Sequence, residues 1–209
     1  MIELFLKGGP IMWPLLLTSI VALTVVIERL VFIVVEKTHR QPRVVKEILR
    51  QMEQGDAAGA IQVGRQSPDF LARTLVAALR DRESSFTNAL LAQSSEELRR
   101  FSRGLTVLDT VITLSPLLGL LGTVTGMIHS FALLGGAELD APSAITGGIA
   151  EALIATAFGL GVAITALLPY NYLNARLEDA RREIEVAGNR LELLLIKHAP
   201  GKAADLTEV

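Results

Sequence analysis

The chain has 209 residues, half of them hydrophobic, with 20 Lys or Arg against 22 Asp or Glu and a formal net charge of −2. Its mean hydropathy is positive, which is too apolar for an ordinary soluble domain of this size, and its acidic and basic residues interleave, which argues against a nucleic-acid surface. It has no cysteine, so disulfides, thiol nucleophiles and Cys-ligated zinc are excluded, and His39, His129 and His198 stand too far apart for metal-ligand spacing.

Residues 1–10 are expected to form a short outer N-terminal segment. Residues 11–27 are uncharged, Glu28-Arg29 interrupts, and residues 30–35 are apolar again. The span 11–35 is long enough for a first, tilted membrane helix, and Trp13 near its start suits an interface. No small-x-small cleavage site follows the apolar core, which argues against a signal peptide. Glu28 and Arg29 are expected to snorkel to water from the inner end.

Residues 36–104 form a charged segment. Val44, Val45, Ile48, Leu49 and Met52 follow helical spacing, Gly55-Asp56 marks a break, and 57–63 predicts a second short helix. Ser67-Pro68-Asp69 is a helix start, with Leu71, Leu75, Val76 and Leu79 as the apolar face that follows. A further helix begins near Ser84 or Ser85. It carries Leu90, Leu91, Leu98, Phe101 and Leu105, and is expected to enter the membrane without stopping.

The second span is predicted over 105–135, since residues 110–137 carry no formally charged side chain. Within it, His129 reads as an interfacial histidine. A short turn at 136–144 holds Glu138 and Asp140. A third span follows at 145–172, ending near Pro169 and Tyr170-Asn171-Tyr172. A charged helix at 173–199 has Leu177, Ile184, Leu191, Leu194 and Leu195 on one face, and 200–209 is expected to be a disordered tail. The fold class is thus all-α: a membrane protein with three transmembrane helices and long helices extending into the cytoplasm. The segment 36–104 holds twelve Lys or Arg and the C-terminal segment six, whereas the turn between spans two and three holds none. The positive-inside rule then puts the long segment and the C-terminus in the cytoplasm and the N-terminus outside. No phosphate loop, paired-carboxylate site or Ser/His/Asp arrangement is present, so the chain reads as a non-enzyme with no implied cofactor or metal.

The third span contains a single carboxylate, Glu151. No other charge occurs between Asp140 and Arg176. A charge in hydrocarbon costs roughly 2.5 kcal/mol or more, so one kept there has a partner or a use. One reading is a carboxylate satisfied at a helix–helix contact. The other is a proton relay, taking a proton on one side and releasing it on the other. Arg29 is the only Lys or Arg within any span and belongs near the opposite end, which favours the relay.

Small residues recur in steps of three and four on both spans: Ser115, Gly119, Gly122, Gly126 and Ser130 on the second; Ala144, Gly148, Ala152, Thr156, Gly159 and Ala163 on the third. Close backbone approach through such residues holds membrane helices together, and this is the reading for Gly119, Gly122, Gly126, Gly148 and Gly159. Thr123, Thr125, Thr156 and Thr165 either bond their own helix backbone or line a polar path. Thr123 and Thr156 favour the path, Thr123 lying within the small face of span two and Thr156 about one turn beyond Glu151. Asp109, at the inner edge of span two, reads as solvated.

Together these residues resemble the TolQ/ExbB/MotA proton-channel family, closest to its ExbB/TolQ branch. The resemblance rests on Glu28-Arg29 closing span one, on the run from Ser115-Pro116-Leu117-Leu118-Gly119 through Gly122-Thr123-Val124-Thr125-Gly126-Met127-Ile128, and on Gly148-Ile149-Ala150-Glu151-Ala152-Leu153-Ile154-Ala155-Thr156-Ala157. The four-span MotA-like members fit less well. The resemblance implies a pentameric ring in the bacterial inner membrane. Spans two and three would line a pore holding single-span helices of an ExbD/TolR-like partner. Glu151, Thr123 and Thr156 match the family's pore positions. Proton flow would turn the ring and pass work to a TonB- or TolA-like protein, for energy-dependent outer-membrane transport or envelope maintenance. Ser115 stands where alanine is usual, and Thr165 where proline is common. The competing reading is a passive membrane scaffold that holds a single-span partner without conducting protons.

Overall fold

The computed structural model describes Phe5, residues 7–134 and residues 141–198. Among them the regular secondary structure is helical: α1 (Met12–His39), α2 (Pro42–Glu53), α3 (Ala57–Gly64), α4 (Phe70–Arg80), α5 (Arg82–Ser102), α6 (Leu105–Leu134) and α7 (Ala141–His198). Three of these helices, α1, α6 and α7, are long and apolar enough to cross a membrane. Helix α7 runs through Pro169 for 58 residues without a break, so the third span and the charged helix after it are one element. The expected tail at 200–209 and most of the expected turn at 136–144 lie outside the described residues, as do residues 1–4 and 6 of the expected outer N-terminus.

The helix expected to run from residue 84 into the second span does not do so. It ends at Ser102, Arg103 is extended, and Gly104 adopts φ +80°. Only a residue without Cβ takes that conformation cheaply, and a methyl group at Gly104 would also lie 2.9 Å from Cγ1 of Val25. The Gly104 carbonyl then accepts from Leu108 N–H at 3.1 Å and starts α6. A second interruption falls at Ser85, whose φ of −171° and ψ of 107° are non-helical.

The chain divides into two compact units: Met1–Leu30 with Gly104–Leu173, and Val31–Arg103 with Asn174–Val209. In the second unit, α2 buries Val45, Ile48, Leu49 and Met52, and α4 buries Phe70, Leu71, Leu75, Val76 and Leu79. The C-terminal half of α7 buries Leu177, Ile184 and Leu191, seven residues apart and so on one face. Rings of Phe32, Phe70 and Phe101 meet edge to face at 5.2–5.3 Å.

Asp69 organises the polar side of this core. It is fully buried, caps α4 by accepting from Leu71 N–H at 2.9 Å, and also accepts from Gln41 N–H at 2.6 Å and from the Arg40 guanidinium at 3.3 Å. Arg40 lies over the Phe70 ring and pairs with Glu183 of α7. Replacing Asp69 with Ala removes a cap and strands these donors. The expected cost is on the order of 2–3 kcal/mol, read as a lower unfolding temperature in detergent. An unchanged midpoint would show that the junction contributes nothing.

In the first unit the small residues of α6 and α7 meet directly. A methyl group at Gly159 would lie 2.5 Å from the Ser115 carbonyl oxygen, and one at Gly119 would lie 3.0 Å from Cα of Thr156. At Gly122 it would meet Ala155, at Gly126 Ala152, and at Gly148 Ser130. As the α6 number climbs, its α7 partner falls, so the two helices run antiparallel with their backbones in contact. Large apolar side chains point away from this contact; Leu117, Ile128, Leu153 and Leu168 are all more than half exposed, as lipid-facing residues are. Arg29 does not snorkel. It is buried, pairs with the more exposed Glu28, and lays its stem against Gly104.

Candidate functional site

Glu151 projects from α7 one residue before the Ala152–Gly126 contact. It is half-buried and opens on a cavity of about 360 Å³ lined by Gly8, Pro10, Ile11, Gly122, Thr125, Gly126, His129 and Glu151. The α6 residues of this lining fall at steps of three and four and so share one face of the helix. The other wall is the turn that leads into α1.

Sequence reasoning missed that turn. Gly9 has φ +73°, and any Cβ there would collide with Oε1 of Glu151. Gly8 is equally tight, since a methyl group on it would lie 2.6 Å from Met12 and 3.1 Å from Ile154. Phe5 stacks edge to face on Trp13 at 5.5 Å. The Gly8-Gly9-Pro10 sequence is therefore shaped to the carboxylate: two glycines allow close approach and a left-handed residue, and Pro10 fixes the next φ. Adjacent Gly-Gly-Pro was a visible signal for a tight turn, but nothing local said what it covers.

The threonines separate. Thr156 Oγ1 donates across the helix contact to the Gly119 carbonyl at 3.0 Å, and lies 3.3 Å from the Ala152 carbonyl on its own helix. Thr123 Oγ1 donates to Leu120 O at 2.6 Å, Thr125 to Leu121 O at 2.9 Å, and Thr165 to Gly161 O and Val162 O at 2.9 Å. These three bond their own helix, which satisfies a hydroxyl in an apolar medium. Thr125 lines the Glu151 cavity; Thr123 and Thr156 are not among its lining residues.

Ser115 is fully buried at the Gly159 contact, and its Oγ has no hydrogen-bond partner among the described residues. Pro116 follows inside α6 and Pro169 inside α7. Each removes one backbone donor from its helix. Asp109 is exposed, as a solvated residue would be. No cluster of metal-ligating side chains occurs among the described residues.

A model of the MotA/TolQ/ExbB proton channel family matches residues 64–186, a range that includes Thr123, Glu151 and Thr156. A protein of Synechocystis sp. named biopolymer transport protein ExbB-like 1 is 38% identical over 205 residues, covering 93% of this chain and 78% of that protein. The biopolymer transport protein ExbB homolog of Methanothermobacter thermautotrophicus is 31% identical over 189 residues, 88% of this chain and 67% of its own. The Tol-Pal system protein TolQ of Haemophilus influenzae is 38% identical over 109 residues, 52% of this chain and 48% of its own.

Proposed function

Because the chain belongs to the MotA/TolQ/ExbB proton channel family and has three membrane-length helices, we propose that it is an ExbB/TolQ-like stator subunit that converts proton motive force into mechanical work. One observation carries the reading: the single carboxylate in the apolar run of α7 opens on a cavity beside the α6–α7 contact. A carboxylate meant only to tie helices together would be spent on a donor, whereas one facing a cavity is free to take and release protons.

In this reading five copies form a ring in the inner membrane, with the N-terminus periplasmic and the C-terminus cytoplasmic. Single-span helices of an ExbD/TolR-like partner occupy its centre, and a TonB- or TolA-like protein receives the work. Glu151 holds the transferred proton. Thr156 and Thr123 supply hydroxyl oxygens along the path, Thr156 held to Gly119 by its cross-helix bond. The names of the relatives, biopolymer transport and Tol-Pal system proteins, support a role in energised transport or envelope maintenance.

The test is proton uptake by vesicles holding the full chain and the single-span partner under an imposed pH gradient and membrane potential. Flux above that of empty vesicles is expected. Wild-type vesicles no leakier than empty ones would leave the scaffold reading in its place.

A further inference from the structure

The cavity at Glu151 has a second titratable wall. Of the described residues that line it, Glu151 on α7 and His129 on α6 are the titratable ones. The turn before α1 contributes Gly8, Pro10 and Ile11, and Lys7 beside it is exposed. Gly126 marks the level of Glu151, because a methyl group there would lie 3.0 Å from Cβ of Ala152. His129 stands three residues further along α6, about 4.5 Å up the helix axis. It is exposed, while Glu151 is half-buried under the Gly9 turn. The carboxylate thus lies against the backbone of the Gly9 turn, and the imidazole is the exposed titratable group on the lining of the same cavity.

We propose that His129 is the proton-transfer residue that loads and unloads Glu151 through this cavity. An imidazolium N–H gives its proton to water in the cavity, and that water gives one to a Glu151 oxygen. The neutral imidazole then takes a proton from the water outside. One proton has moved from outside to the carboxyl, and His129 is as it began. The reverse sequence discharges the site. Imidazole suits this work because its charge changes between about pH 5 and 8, and a cavity of this size has room for several waters at about 30 Å³ each. The proposal rests on the proton-channel reading above.

The experiment compares wild type, Glu151→Gln, His129→Gln and His129→Asn in vesicles with the single-span partner, with flux measured as the outer pH is varied from 5 to 8. Both His129 variants are expected to lose about tenfold or more of the flux and to flatten its dependence on outer pH, with added imidazole restoring part of the loss. Unchanged flux and pH profile in His129→Gln, with Glu151→Gln silent, would overturn the role of His129 and leave the channel reading intact. A wild type that conducts nothing would overturn both. Should the His129 variants fail to assemble, flux is measured in a His39→Gln/His198→Gln chain, which keeps His129 as its one histidine, before and after diethyl pyrocarbonate modifies the imidazole. Loss of flux, reversed by hydroxylamine, is expected. Undiminished flux after modification would overturn the proposal.

Discussion

Glu151→Gln is expected to abolish proton flux, by about a hundredfold or more, while the protein folds and assembles as before. Glutamine has nearly the same shape. It still fits beneath the Gly9 turn and against the cavity wall formed by Gly122, Thr125 and Gly126. What it lacks is an exchangeable charge state. The membrane potential supplies about 2.3 kcal/mol per charge per 100 mV, and without a group that alternates between charged and neutral none of this is coupled to the chain. The measurement is flux under a fixed gradient, paired with native mass and thermal unfolding to show that assembly is unchanged. Flux equal to wild type would make Glu151 a structural residue.

Gly159→Leu is expected to separate α6 from α7. A Cβ at this position would lie 2.5 Å from the Ser115 carbonyl oxygen, 3.1 Å from Cα of Gly119 and 3.2 Å from its nitrogen. All three are backbone atoms, so no rotamer change relieves the clash. Overpacking of a side-chain core typically costs about 1–3 kcal/mol; here whole helices must move, and the Thr156–Gly119 bond is lost with the contact. The variant should unfold at a clearly lower temperature in detergent and expose α6 to protease. Gly161→Leu is the control, since a Cβ there meets nothing within 4 Å, and its unfolding should stay near that of the wild type. The contact would not be what holds these helices if the two variants were equally mild.

Much of this arrangement was legible residue by residue. The three membrane-length helices follow from uncharged runs of sufficient length, a property of local composition. The cap at Asp69 follows from Ser67-Pro68-Asp69, because capping is settled within a few residues. The stripe of small residues pointed to a tight α6–α7 contact, and the helical period gave the face. The features that escaped depend on something distant or on a conformation with several sequence solutions. Gly104 looked like one tolerated glycine within a helical run; the extended Arg103 and the +80° φ of Gly104 break the run there. Arg29 was expected in water, yet it is buried with its stem beside Gly104, seventy-five residues away in sequence. The covering of Glu151 by Gly9 joins residues 142 positions apart, and His129 gained interest only once the cavity put it beside Glu151.

The bare backbone contact between α6 and α7 has a thermodynamic consequence. Lipid tails are as apolar as the side chains they surround, so this contact draws on dispersion and on the Thr156 hydrogen bond, not on release of water. Its strength should change little with temperature, because little apolar surface changes its hydration and the heat-capacity term is small. The core around Ile48, Leu75, Leu79 and Leu191 is the opposite case. It is held by removing apolar surface from water, and such cohesion fades on cooling. One chain thus carries two kinds of cohesion. Cold weakens the side-chain core and leaves the bed of Glu151 nearly untouched.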